Sequence, residues 1–206
     1  IAGLRTMVTM KHVGLNVAAD PLMTLAYTGI KGGMVIINAD DPFCFSSQNE
    51  QDNRYYARLS SLPMLEPTSV QEMKDMTIAA FDLSEELGLP VIIRTTTRLN
   101  HIRGDVRLGE LKPVKTRDIF EKKPFHWVCV PAVSRNLHKL LLERYDKSAA
   151  KSDNLPYNRV IGNGKWGLVA NGVSFNYVKD AVSDLGISDK VSILKLGFSW
   201  PMPKDL

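Results

Sequence analysis

Three short segments concentrate side chains able to do chemistry. Residues 10–16 hold Lys11, His12, Gly14 and Asn16; residues 40–52 hold Asp41, Ser46, Ser47, Gln48 and Asn49; residues 95–101 hold Arg98 and His101. Each segment follows an apolar run. For a lone histidine a structural role is the default, but His12 and His101 each lie just past an expected strand end, where ligands bind in open α/β sheets. The string 46–52 reads as a helix N-terminus capped by Ser47 or Asn49. Its free N–H groups and positive dipole end suit a carboxylate or a phosphate. Asp40-Asp41-Pro42 reads as turn chemistry in preference to a metal-binding pair. Arg94 and Arg98 flank a threonine run, and strand alternation puts them on one face. One of them could grip a carboxylate through two parallel hydrogen bonds; the alternative is a surface ion pair of little worth.

The remaining motifs read as structure. His126, beside Trp127 at an expected strand start, is structural, and His138 is a solvated helix residue. The four histidines do not have the spacing of an HExxH or similar metal motif. Gly162-Asn163-Gly164 lacks the helix that a dinucleotide-binding glycine loop requires after it, and reads as an ordinary turn.

The elements that must position the three segments follow from hydrophobic period. Residues 4–9 read as a strand, and 14–28 as a helix broken or kinked by Pro21. Residues 34–39 (MVIINA) form a continuous apolar run, the pattern of a parallel strand buried on both faces. Residues 69–88 are the clearest helix, with Ser69 as cap, Glu72 three residues on and Gly88 as terminator. Residues 91–95 form another buried strand. This alternation predicts an α/β domain with a parallel sheet, whose ligand crevice lies beyond the carboxyl ends of the strands. Residues 105–124 read as a linker. A second α/β unit follows, with a helix at 132–150, a loop at 151–165, a strand at 166–172, a helix at 173–185 and a strand at 191–197.

Composition narrows the class. The chain has 206 residues, 44% hydrophobic and 23% charged, as ordinary globular domains do. The net charge of +4 is scattered, so no nucleic-acid stripe exists. Cys44 and Cys129 form neither a disulfide framework nor a CxxC site, which fits a reducing, cytoplasmic setting. No apolar run reaches the length of a membrane span. The start does not read as a signal peptide, and the chain is expected to be a fragment.

Local strings say more. KHVGLNVAADPLMTLAYTG, INADDP, SSQNEQDNRYYA, PMLEPTSVQEMKD and RTTTRLNH resemble the α subunits of the indolepyruvate:ferredoxin oxidoreductases, the aryl branch of the thiamine-diphosphate-dependent 2-oxoacid:ferredoxin oxidoreductases. VCVPAVSRNLHKLLLERY, LPYNRV, GLVANGVSFNYVKDAV and LKLGFSWPMP continue the resemblance to the end. It implies an α/β fold made of a thiamine-diphosphate pyrimidine-binding domain over residues 1–104 and a transketolase C-terminal-like domain over 125–206. It implies, for the complete enzyme, oxidative decarboxylation of aryl 2-oxoacids to the acyl-CoA, with electrons passed to ferredoxin. Thiamine diphosphate, Mg²⁺, [4Fe-4S] clusters and CoA would serve that enzyme. A β subunit, ferredoxin and a second α subunit would be its partners. The glutamate that engages the aminopyrimidine ring is expected ahead of Ile1, and the diphosphate and cluster segments elsewhere, so this piece alone is expected to be inactive. Within it the resemblance implies that Lys11, Gly14 and Asn16 face the cofactor. His12 would act on the substrate carboxylate or a developing alkoxide, and Asp41, Ser46, Ser47, Gln48, Asn49, Arg98 and His101 would line the substrate side. The alternatives are the same chemistry on pyruvate or another 2-oxoacid, or a non-catalytic interface module.

Overall fold

The apolar runs at 34–39 and 91–95 are indeed the buried centre of a sheet: Val35, Ile36, Val91, Ile92 and Ile93 are all 2% exposed or less. The computed structural model describes residues 1–111, 113 and 119–206. Its first half runs β1 (Thr6–Lys11), α1 (His12–Val17), α2 (Ala19–Thr28), β2 (Met34–Asp40), α3 (Arg54–Ser60), β3 (Met64–Leu65), α4 (Val70–Leu87), β4 (Val91–Thr96) and α5 (Thr97–Asn100), with a 3₁₀ turn at Pro42–Cys44. Its second half runs α6 (Pro124–Trp127), α7 (Pro131–Asn154), β5 (Asn158–Ile161), β6 (Trp166–Asn171), α8 (Ser174–Asp184), β7 (Val191–Leu196) and β8 (Phe198–Trp200).

The larger sheet has the order β1-β2-β4-β3-β8. All its pairs are parallel except β3–β8. Lys11 lies opposite Ala39, and Asp40 opposite Thr96, so β1, β2 and β4 end along one edge of the sheet. Helix α4 covers one face. Met76, Ala80, Leu83 and Leu87 recur at helical spacing and are buried. Its ends are those the sequence predicts. The Ser69 side chain accepts the Glu72 N–H, Glu72 accepts from Thr68, and Gly88 closes the helix at φ +64°. The smaller sheet has the order β5-β7-β6, with α8 packed on it through Phe175 and Val182.

Several expectations are corrected. The first strand covers Thr6–Lys11 rather than 4–9, because the ladder to β2 continues through Met10 and Lys11. The helix expected over 14–28 is two helices parted at Ala18. Pro21 has no N–H to bond the carbonyl four residues back, so it sits in the first turn of a fresh helix, where none is needed. The loop expected over 151–165 begins as the end of α7 and contains β5. His126 lies in the short helix α6 with its ring edge-on to Trp127, and exposed His138 stacks on Tyr27 at 5.4 Å. The Gly162–Gly164 turn has a packing reason: a Cβ on Gly164 would lie 2.0 Å from the Lys190 backbone.

Packing crosses the expected linker at 105–124. Leu141 of α7 belongs to the core of the larger sheet, and β8, near the far end of the chain, pairs with β3 at its edge. Positions 112 and 114–118 of the expected linker lie outside the described residues.

Candidate functional site

At the end of β2 successive residues face opposite ways, and the two aspartates there do different work. Asn38 and Asp40 point to one side, into a buried polar network. Asp40 accepts hydrogen bonds from Asn38 Nδ2 (2.7 Å), the Asn53 backbone N–H (3.0 Å) and Arg94 Nε (2.6 Å). Arg94 Nη1 donates to Glu66 Oε2 at 2.7 Å, and Asn171 at the end of β6 donates to Glu66 Oε1 at 2.8 Å. Asp40, Glu66 and Arg94 are 2%, 2% and 8% exposed. Burial works against the Arg94 charge, but the Glu66 and Asp40 carboxylates outweigh it and hold the guanidinium pKa above its ordinary value. Arg94 is thus fully committed to carboxylates, and the network joins the larger sheet to the smaller one.

Asp41 anchors the turn that follows. Its carboxylate accepts from Thr97 Oγ1 (2.7 Å), Ser47 Oγ (2.8 Å), the Ser46 N–H (2.8 Å) and the Phe45 N–H (3.2 Å). Lys11 Nζ stands 3.4 Å away and donates to Ser46 O at 2.9 Å and Ser46 Oγ at 3.0 Å. The Thr97 hydroxyl, then the Ser46 amide, hold the Asp41 carboxyl well below the usual carboxylate range. A depressed folded value means that the stability this group contributes is complete above the ordinary range near pH 4, and is lost as pH falls toward the depressed value. Hydrogen exchange should therefore find the Phe45 and Ser46 amides protected at neutral pH and opening progressively below about pH 4. In Asp41→Asn the same amides should already be open at neutral pH.

His12 heads α1 and is fully buried. Its Nε2 lies 3.1 Å from the Asn49 carbonyl, and its Nδ1 has no partner among the described residues. Its backbone carbonyl accepts from Asn53, which also donates to Asn38. The three expected segments therefore converge, but through side chains that mostly tie them to one another. Lys11, Asp41, Ser46, Ser47 and His12 build the support; exposed Gln48 and Asn49 lie on its outer loop. Gly14 packs against Met10 inside α1, and Asn16 accepts the Tyr56 hydroxyl at 2.5 Å.

The open space lies beside this support. A cleft of about 480 Å³ is lined by Pro42, Phe43, Phe45, Pro67, the Thr95–Arg98 stretch and Tyr177, among others. Phe45, Arg98 and Tyr177 also line an adjoining hollow of about 560 Å³ that reaches His101. Of the expected residues, Arg98 and His101 line it. Lys11, His12, Gly14, Asn16, Asp41, Ser46, Ser47, Gln48 and Asn49 do not. The charged residues lining the cleft are Arg54, Glu66, Arg94 and Arg98; Arg94 is paired with Asp40 and Glu66, and Arg54 with Asp52. Its rim carries Arg98, which has no ion pair or hydrogen bond among the described residues.

Sequence reasoning missed Glu66, Asn171 and the aromatic lining. Glu66 follows a two-residue strand too short to read from period. Asn171 sits at the carboxyl end of a parallel strand, and the crevice rule applied to the second sheet would have found it.

Comparison with known proteins gives the following. Residues 1–138 match the profile of a protein family described as pyruvate flavodoxin/ferredoxin oxidoreductase, thiamine diphosphate-binding. The whole chain is 48% identical to the indolepyruvate oxidoreductase subunit IorA of Methanothermobacter thermautotrophicus, and 49% identical to that of Pyrococcus abyssi; it spans 33% of each relative's length. A 2-oxoglutarate synthase subunit, KorA of Archaeoglobus fulgidus, is 28% identical over 77% of this chain and 50% of its own. A solved 2-oxoglutarate:ferredoxin oxidoreductase from Magnetococcus marinus superposes with a TM-score of 0.67 at 15% identity, over 96% of this chain and 42% of the other. That likeness establishes the fold.

Proposed function

We propose, because the chain belongs to the pyruvate flavodoxin/ferredoxin oxidoreductase family of thiamine diphosphate-binding proteins, that it is part of the α subunit of an indolepyruvate:ferredoxin oxidoreductase. The observation that carries this reading is the 46–49% identity to IorA subunits along the entire chain. The complete enzyme would oxidatively decarboxylate aryl 2-oxoacids to acyl-CoA and reduce ferredoxin, in the cytoplasm, with a β subunit and a second α subunit. Residues 1–104 would supply the pyrimidine side of the cofactor site, and 125–206 the transketolase C-terminal-like part.

The cleft supports a division of labour. Thiamine diphosphate, when bound, would supply a nucleophilic carbon and an electron sink for the 2-oxoacid. The cleft lining offers threonine hydroxyls, the Glu66 carboxylate and aromatic rings, groups suited to the cofactor's heteroaromatic part. The donor set here thus fits the ring end. Mg²⁺, the diphosphate and the [4Fe-4S] clusters are assigned to other segments of the enzyme. Arg98, exposed at the rim, would hold the substrate carboxylate, with His101 beside it. Arg94 would hold the floor rigid. His12 is better placed to brace the 46–53 loop from below than to touch substrate, which revises the role first expected for it.

The test is turnover by the complete, anaerobically purified complex, read as CoA-dependent reduction of ferredoxin. Indolepyruvate should be preferred over pyruvate and 2-oxoglutarate by at least about tenfold in kcat/KM. A preference for pyruvate would favour the related reaction on small 2-oxoacids. The absence of any 2-oxoacid oxidation would favour an interface module.

A further inference from the structure

The Asp41–Ser47 turn is built in a way its anchoring role does not require. Phe43 and Cys44 are consecutive non-glycine residues in the left-handed region, at φ 69° and 54°. Such backbone persists only where its surroundings enforce it. Here they do: the Phe43 N–H is held by the Glu50 carboxylate at 2.9 Å and the Phe45 N–H by Asp41 at 3.2 Å. The product of this enforced geometry is a pair of phenyl rings, 82% and 65% exposed, with centroids 5.6 Å apart and planes 53° to one another. Both rings line the cleft, and the α8 side contributes the half-exposed ring of Tyr177.

We infer that Phe43, Phe45 and Tyr177 form the recess that receives the aryl ring of the substrate, so that these are specificity-determining residues of the cleft. The inference rests on the proposed reading of the protein as an aryl 2-oxoacid oxidoreductase and says which residues select the aryl group. Three chemical facts support it. Aromatic rings attract one another in tilted or offset arrangements at the separation already seen between Phe43 and Phe45. The cleft falls within the size range of small-molecule pockets. Arg98, without an ion pair or hydrogen bond among the described residues, lines both hollows, as do Phe45 and Tyr177, so an anionic head and an aromatic tail find their partners side by side. A small aliphatic 2-oxoacid would use the arginine and leave the rings wet.

The experiment compares the complete enzyme with Phe43→Leu, Phe45→Leu and the double variant, leucine keeping the site apolar. The readouts are the ratio of kcat/KM for indolepyruvate to that for pyruvate, and calorimetric binding of indole-3-acetate, an unreactive aryl carboxylate. The double variant should lower the ratio by about 100-fold, each ring contributing about tenfold, and should weaken indole-3-acetate binding in parallel. Unaltered selectivity and binding in a wild-type enzyme that oxidises indolepyruvate would overturn the recess and leave the functional reading standing. Ring-dependent binding of indole-3-acetate by an enzyme that oxidises no aryl 2-oxoacid would sustain the recess and overturn that reading. Loss of complex assembly in gel filtration, with both substrates affected alike, would identify the rings as a subunit contact and overturn the recess.

Discussion

Replacing Arg94 by methionine should lower the stability of the protein by about 3–5 kcal/mol, the range for removing one partner of a buried ion pair. The size follows from what would be left behind. Asp40 and Glu66 are each 2% exposed, and both are ion-paired to the Arg94 guanidinium. Without it two carboxylates stay buried, with Asn38, Asn53 and Asn171 as their remaining partners. Thermal or denaturant unfolding reads the loss. The triple variant Arg94→Met, Asp40→Asn, Glu66→Gln should recover much of it, because the charges leave together. A loss below about 1 kcal/mol in the single variant, the level of an exposed pair, would mean that the network is hydrated and not the rigid floor proposed for the cleft.

Asn158→Ala should cost on the order of 3 kcal/mol through groups left without partners. This side chain, 5% exposed, fills all its hydrogen-bonding capacity. It donates to the carbonyls of Ser152 and Phe198 and accepts from the N–H groups of Gly197 and Phe198. Those contacts surround the single residue, Gly197, at which the chain leaves the smaller sheet and enters the larger. A Cβ on Gly197 would lie 2.7 Å from the Tyr157 carbonyl, so the crossing is tight as well as hydrogen-bonded. Unfolding measurements should show the loss, and hydrogen exchange should place it first at Phe198. Protection of Phe198 equal to that of Ile93 in the variant would contradict this account.

Long local patterns were legible in the sequence and short or non-local ones were not. Helix α4 announced itself through Ser69, Glu72, Gly88 and its apolar stripe, all within one segment. The MVIINA run declared a doubly covered strand. In contrast, Met64–Leu65 is a strand only because it lies between β4 and β8, and Phe198–Trp200 only because it lies against Met64–Leu65, which no local period can reveal. The three chemical segments were correctly brought together by the crevice rule, since strand direction fixes where strands end. Which of their side chains face the cleft was not legible. Polar residue type does not say whether a carboxylate such as Asp41 will serve a ligand or satisfy its own loop, and nothing in the local pattern says that the phenyl rings of Phe43 and Phe45 stand exposed.

No described helix is long and apolar enough to cross a membrane.

The return of β8 to the edge of the larger sheet has a practical meaning for dissection. A reading frame split within residues 105–111 would yield two halves that each lack part of the same core: the first without Leu141 and Phe198, the second without the strands they cover. Co-expressed, the two halves should reassemble as a complementing pair, because each carries surface that the other covers.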